Sequence, residues 1–516
     1  MESSARGMAM IMLENVSYWW EDGEIALNNI NLEVKEGQFV LISGRSGSGK
    51  STLGSTINGL IPHYYNGKIR GKVYVDGKDM SKIPLHEIGH LVGTVFQDPR
   101  SQFFTTTTDE EIAFGLQTIC KTKEEIIKRV EKVYKDLGIE ELKEKSVFEL
   151  SSGQKQKIAI ASIYAMKPKV LILDEPSANL DMKATFDLYR VLKKLKETGT
   201  TVILIEHRLY YAKPLFDRFI LIKDGKIQRD ISREETLTLP EEYWDENGLR
   251  LLELNKCKIC QGSEVQKDNG IVLKGERLSF YYRKHSRHKQ KEYILKDLDF
   301  KLHAGSSVGM IGLNGTGKTT FARIISGIEK VKEGKLLDGK DEFLRNKELM
   351  EASYFVFQDS DYQLFSESVL DEMLLGLPKC EKEESKDKAI SILKDLELEK
   401  YIKKHPFALS RGEKQRLTIA CGMMKNAKIF LYDEPTSGCD RKSMMAVSTL
   451  IKRQMNRGIT SLIISHDFEF LTNTVSSVWV MEDANIKESI EMTEENKFFI
   501  LEKMMGGVDF EQCKNN

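Results

Sequence analysis

The sequence predicts an α/β fold written twice in tandem, each copy with a parallel-sheet core and a helical insertion. Three observations carry that expectation. Short apolar runs such as FVLIS (Phe39–Ser43) end in glycine-rich turns and read as buried parallel strands. These runs alternate with segments of helical spacing, the order of a sheet that gathers ligands at the carboxyl ends of its strands. Finally, the landmarks of the first half return in the second. GRSGSGKST (Gly44–Thr52) recurs as GLNGTGKTT (Gly312–Thr320), a shift of 268. Gln97 recurs as Gln358, a shift of 261, and ELSSGQKQKIAIA (Glu149–Ala161) recurs as ALSRGEKQRLTIA (Ala408–Ala420), a shift of 259. VLILDEP and IFLYDEP keep that 259, as do His207 and His466. A register that drifts and then locks is the mark of a duplication with loop deletions in one copy.

In chain order, the first unit is expected over 1–228, with a helical insertion at about 98–149 signalled by the charged, helically spaced stretch Lys121–Lys145. Residues 229–271, with six basic and ten acidic residues, read as an acidic linker with some short structure. The second unit is expected over 272–482, its insertion at about 359–408, and residues 483–516 read as a polar tail.

Composition narrows the class. Of 516 residues, 41% are hydrophobic and 30% charged, ordinary for a packed soluble protein. A net charge of −1 gives no global electrostatic footprint for nucleic acid. No stretch approaches the roughly 18 consecutive apolar residues of a membrane span, and the start, MESSARGMAMIML, is a poor signal peptide. Seven scattered cysteines suit a reducing compartment, so a cytosolic protein is expected. Cys257 and Cys260 form a lone CxxC, without the second pair a zinc site usually needs.

The chemistry begins at GxxxxGK[ST], which occurs twice, each time after a predicted strand. Glycines let backbone N–H groups curl around phosphates, and the helix N-terminus adds a favourable dipole. The candidate phosphate residues are Gly44, Ser46, Gly47, Gly49, Lys50, Ser51 and Thr52, then Gly312, Asn314, Gly315, Gly317, Lys318, Thr319 and Thr320. Lys50 and Lys318 would reach the β- and γ-phosphates, while Ser51 and Thr319 would offer hydroxyls to Mg²⁺. Asp174 and Asp433 end apolar strands, where a carboxylate can hold Mg²⁺ through water. Glu175 and Glu434 beside them are candidate general bases for an attacking water. His207 and His466 also follow apolar strands, suiting either a γ-phosphate contact or a structural role. Ser151 with Gln154, and Ser410 with Glu413, match a capping box, a purely structural helix start that also presents free N–H groups to an anion.

In this order the motifs resemble the nucleotide-binding domains of ABC ATPases, and the resemblance covers nearly the whole chain outside linker and tail. It implies two tandem P-loop ABC-type domains that pair head to tail within one chain and bind ATP with Mg²⁺. Each phosphate loop would face the other unit's signature: Lys50 opposite Ser410 and Gly412, Lys318 opposite Ser151 and Gly153. The adenine-stacking aromatics would be Trp20 and Tyr282, with core packing as the alternative. Gln97 and Gln358 would be the Gln-loop residues that touch Mg²⁺ and sense a membrane partner.

A longer phrase narrows the resemblance. FQDPRSQFF (Phe96–Phe104) and FQDSDYQLF (Phe357–Phe365), each followed by an acidic pair and Gly-Leu, resemble the ATPases of energy-coupling factor (ECF) importers. Those take up vitamins or transition-metal ions through integral membrane partners, a coupling subunit and a substrate-specific subunit. That implies a peripheral protein at the cytoplasmic face of the membrane. The chain departs from the family's LSGGQ at Ser152 and Arg411, which puts equal turnover at the two sites in question. Two other readings compete. A sugar-importer tandem ATPase usually lacks the second glutamine, here Gln102 and Gln363. A twin ATPase of ribosomes or nucleic acid tends to carry a basic arm where this linker is acidic.

Overall fold

The computed structural model describes residues 9–119, 122–259, 270–282 and 292–506. The chain divides into two compact units between Glu253 and Leu254. In the first, β1 (Ala9–Trp19), β2 (Ile25–Lys35), β4 (Lys68–Val75) and β5 (Lys78–Asp79) form an antiparallel sheet in the order β2-β1-β4-β5. A second sheet takes β3 (Phe39–Ser43), β6 (Val92–Val95), β7 (Val170–Asp174), β8 (Thr201–Ile205), β9 (Arg218–Lys223) and β10 (Lys226–Ser232). Its order is β10-β9-β3-β8-β7-β6, parallel except for β10 at the edge.

The pattern of apolar residues explains this division. β3 and β8 are buried at every position, as unbroken hydrophobic runs covered on both faces must be. β2 alternates buried and exposed residues, as expected for a sheet with one wet face. Leu13, Tyr18 and Leu32 of the antiparallel sheet join Val40, Ile172 and Ile203 of the parallel sheet in one core.

The second unit repeats the plan. β11 (Ile271–Tyr281), β12 (Tyr293–His303) and β14 (Glu333–Leu337) form the antiparallel sheet. β13 (Ser307–Ile311), β15 (Ser353–Val356), β16 (Ile429–Asp433), β17 (Thr460–Ile464), β18 (Ser477–Glu482) and β19 (Asn485–Glu491) form the other, in the order β15-β16-β17-β13-β18-β19.

The insertions contain the expected helices, including Thr108–Gln117 and Lys123–Leu137 in the first unit and Val369–Met373 and Lys386–Asp395 in the second. The expected linker and tail need correction. Residues up to Glu253 fold into the first unit: the sheet gains β10, and the helices Arg233–Leu237 and Glu241–Asn247 follow. Trp244, Leu249, Leu251 and Leu252 are buried there, with the Trp244 ring 5.8 Å from Phe219. Acidic surface residues hid these apolar anchors in the composition. From Leu254 the chain belongs to the second unit, where Cys257 is buried and its carbonyl accepts from Lys497 Nζ at 3.2 Å. Cys260, the other half of the CxxC, lies outside the described residues. The tail supplies β19 and the helix Lys497–Met504 to the second unit.

Candidate functional site

Strand order builds the site. Because β3, β8, β7 and β6 are parallel neighbours, the residues that follow their carboxyl ends stand in a row. These are the phosphate loop, then Glu206 and His207, then Asp174 and Glu175, then Gln97. The second unit aligns its phosphate loop, His466, Asp433 with Glu434, and Gln358 in the same way.

Each phosphate loop curls onto the start of an eight-residue helix, Lys50–Ile57 or Lys318–Ile325, whose first turn carries Ser51 and Thr52 or Thr319 and Thr320. Gly44, Ser46 and Gly47, or Gly312, Asn314 and Gly315, form the loop itself. Gly49 is left-handed at φ 103°, and a Cβ there would lie 2.5 Å from the Ala26 carbonyl oxygen, so only glycine fits. Gly317 repeats this against Ile294 at 2.8 Å. Lys50 Nζ donates to the carbonyls of Gly44 (3.0 Å) and Arg45 (2.8 Å), and Lys318 Nζ to those of Gly312 and Leu313, both at 2.8 Å. Each ammonium is thus held over the loop.

Ser51 Oγ donates to Asp174 Oδ1 at 3.2 Å, and Thr319 Oγ1 to Asp433 Oδ2 at 2.9 Å. Burial, then the neighbouring Glu175, pushes the Asp174 carboxyl up to about 6, against the pull of Ser51 and Lys50. Burial likewise raises Asp433. A hydroxyl beside a desolvated carboxylate is a hard-oxygen pair suited to Mg²⁺, and a cation would offset the cost of ionising the acid. Among the described residues no group of three or more His, Cys, Asp or Glu is placed to hold a metal, so a cation here needs oxygens from water or phosphate as well.

Glu175 and Glu434 both take left-handed backbone angles, φ 46° and 50°, uncommon for a residue with a Cβ and frequent at functional sites. Their N–H groups are tied to the carbonyls of Ile205 and Ile464, each at 2.9 Å. Gln97 Nε2 donates to Glu175 Oε2 at 2.8 Å, and His207 Nε2 stands 3.3 Å from Glu175 Oε1. In the second unit His466 Nε2 is 3.5 Å from Glu434 Oε1 and 3.1 Å from Asn314 Oδ1 on the phosphate loop.

The signature residues behave as helix starts. The side chains of Ser151 and Ser410 form capping boxes with Gln154 and Glu413. A Cβ at Gly153 would lie 2.6 Å from Ala184 Cβ, and one at Gly412 3.0 Å from Ser443 Oγ, so each glycine permits close helix packing. Trp20 packs on the first core and meets Tyr18 edge-on at 4.9 Å, whereas Tyr282 is 50% exposed and meets Phe280 at 5.0 Å. Among the described residues neither ring hydrogen-bonds the phosphate loop of its unit.

The repeated phrase explains itself residue by residue. Gln102 Oε1 accepts from Phe96 N and its Nε2 donates to Thr94 O, both at 2.9 Å, stapling the loop across the end of β6. Asp98 accepts from Arg100 N at 3.0 Å. Buried Glu111, from the acidic pair, accepts from the N–H groups of Phe104 (3.1 Å) and Thr105 (3.0 Å). Gln363, Asp359 and Glu372 make the equivalent bonds in the second copy. The stapled loops hold Phe104 and Phe365 in solvent, 73% and 74% exposed. Phe114 and Phe148 accompany the first, with Phe104 stacked on Phe114 at 5.0 Å; Leu375 and Phe407 occupy the corresponding positions in the second and are also exposed. Sequence reasoning missed Glu206 and Arg208, both buried beside His207, because no motif marks them.

The ABC transporter family profile matches residues 27–178 and 295–437. A "Putative ABC transporter ATP-binding protein" of Treponema denticola is 38% identical over 93% of this chain and 97% of its own length. The "Putative HMP/thiamine import ATP-binding protein YkoD" of Bacillus subtilis is 33% identical over 92% of this chain and 90% of its own. The archaeal ABCE1 seen with Pelota on the ribosome matches 94% of this chain and 80% of its own at a TM-score of 0.66, but at 21% identity it shares the fold alone. Two matched domains, each with its phosphate loop beside an acidic strand end, make this chain a tandem ATPase of the ABC transporter family.

Proposed function

We propose that this ATPase drives a membrane importer of the ECF type, taking up a vitamin or a transition-metal ion through a coupling subunit and a substrate-specific subunit. The observation that carries this reading is the exposed apolar trio, Phe104, Phe114 and Phe148, repeated as Phe365, Leu375 and Phe407. Exposed large apolar side chains standing together, as Phe104 and Phe114 do, mark an interaction surface. Here each loop is stapled by side-chain hydrogen bonds to its backbone that hold the rings in water. No helix among the described residues is long and apolar enough to cross a membrane. The Bacillus subtilis relative, named as a putative HMP/thiamine import ATP-binding protein, supports the vitamin class.

In this proposal Lys50 and Lys318 would bind the phosphates of ATP, and Ser51 with Asp174 and Thr319 with Asp433 would hold Mg²⁺, which would supply charge neutralisation at the transferring phosphate. Glu175 and Glu434 take the proton of the attacking water, and His207 and His466 orient them. Gln97 joins the carboxylate of Glu175 to the loop that presents Phe104, so a change at the nucleotide is transmitted to the docking surface.

Cysteines placed at Phe104 and Phe365 in the complex purified with its membrane subunits test the dock. Both should crosslink to a transmembrane subunit, with a yield that changes on adding ATP. Crosslinks from exposed Leu237 but from neither loop position would disprove the assignment.

A further inference from the structure

Glu206 and Arg208 flank His207 at the end of β8, and both are buried, 1% and 8% exposed. Glu206 Oε1 accepts from Ser177 Oγ (2.5 Å), Ser177 N (3.2 Å) and Tyr211 OH (2.7 Å). Its Oε2 accepts from the N–H groups of His207 (2.7 Å) and Arg208 (3.2 Å). The Arg208 guanidinium donates to the carbonyls of Leu180 (2.9 Å) and Ser177 (3.4 Å). The turn Ser177–Asp181 comes just after Glu175 in the chain, whose carboxylate faces His207 at 3.3 Å. The two neighbours of the histidine therefore grip the backbone just past the glutamate.

The duplication supplies an internal comparison. At the constant shift of 259, Glu206, Arg208, Tyr211 and Ser177 correspond to Ser465, Asp467, Phe470 and Thr436. There Asp467 Oδ2 accepts from Thr436 Oγ1 and Asp467 N donates to Ser465 Oγ, both at 3.1 Å. Phe470 lacks the hydroxyl that Tyr211 gives to Glu206, and position 465 has no carboxylate to receive one. Four positions differ as a coherent set. Burying a carboxylate and a guanidinium costs free energy unless every polar atom is matched, and in the second unit it is the carboxylate of Asp467 that meets the same turn, through Thr436.

We infer that Glu206 and Arg208 are positioning residues for hydrolysis in the first unit, fixing the Glu175 carboxylate against His207 through the turn Ser177–Asp181. This rests on the reading of Glu175 as general base. The test uses the full-length chain carrying Glu434→Gln, so that steady-state turnover reports Glu175. Glu206→Ser and Arg208→Asp should each lower kcat on the order of 10- to 100-fold, the scale of a misplacement of about 1 Å. KM for ATP and the affinity for a non-hydrolysable ATP analogue should stay unchanged. Arg208→Lys should retain part of the rate, and Glu206→Ser/Arg208→Asp/Tyr211→Phe, which installs three of the second unit's four residues and keeps the Ser177 hydroxyl in place of that of Thr436, should recover most of it. Single variants with normal kcat, in a protein whose turnover Glu175→Gln abolishes, would overturn this inference alone. So would a rate loss that tracks Tm and analogue affinity, or a triple exchange without recovery. Turnover that survives Glu175→Gln would remove the base assignment and this inference with it.

Discussion

Gln97 Nε2 and Glu175 Oε2 lie 2.8 Å apart, so the residue that opens the insertion touches the acid at the end of β7. His207 closes on the other carboxylate oxygen at 3.3 Å. A side chain held from both sides on left-handed backbone is oriented before substrate arrives, which general-base catalysis needs. The second unit shares the backbone angle and the histidine, but Gln358 makes no such bond among the described residues.

Glu175→Gln and Glu434→Gln should therefore keep ATP binding and slow turnover. The double variant should lose on the order of 10²–10⁴-fold, the usual contribution of a general base. The single variants should differ, because only Glu175 is tied to its Gln loop. Steady-state ATPase rates alongside equilibrium binding of a labelled ATP analogue decide this. A double variant with near-normal turnover would refute the assignment.

Asp174 makes a pH prediction with a definite sign. Its folded pKa is raised to about 6 from 3.8, so ionisation destabilises the fold as pH rises through that window. Asp174→Asn should raise Tm at pH 8 without nucleotide, by a free energy on the order of 3 kcal/mol less the weakening of the Ser51 bond, which the amide oxygen accepts without a charge. The gain should vanish below about pH 4, where the acid is neutral in both states. Binding of Mg·ATP, which needs the carboxylate, should release protons near pH 6 and almost none at pH 8. Calorimetry in buffers of different ionisation enthalpy measures that release, and equal release at both pH values would contradict it.

The row of candidate residues at the strand ends was legible because strand ends, glycines and acids are local signals, and the parallel order then sets them side by side. Gln102 and Gln363 were legible only as a repeated pattern; that they staple a loop depends on carbonyls at Thr94 and Phe355, which no spacing reveals. Glu206 and Arg208 left no trace, since their partners Ser177 and Leu180 lie on another strand's loop. The first unit's extension was misread as linker because Glu and Asp dominate the count while Trp244 and its leucine neighbours do the anchoring.

That extension reaches the phosphate loop. Arg45 donates from its guanidinium to the carbonyls of Glu246 (3.0 Å) and Asn247 (3.3 Å), at the end of the helix Glu241–Asn247. The negative end of a helix favours a cation there. The carbonyl of Arg45 in turn accepts from Lys50 Nζ at 2.8 Å, so one residue joins the extension to the lysine proposed to bind phosphate. A Cβ at Gly248 would stand 2.8 Å from Arg45 Nε, showing how closely the chain turns around it. The second unit has Leu313 at this position. Arg45→Leu should cost about 1.5–3 kcal/mol, the range for hydrogen bonds to a charged group. It should also speed hydrogen exchange across residues 241–253 and quicken nucleotide release from the first unit. Leu313→Ala, at the matching position, should leave exchange at 241–253 as it is. If Arg45→Leu leaves both exchange and release rates at their original values, the extension has no hold on the phosphate loop.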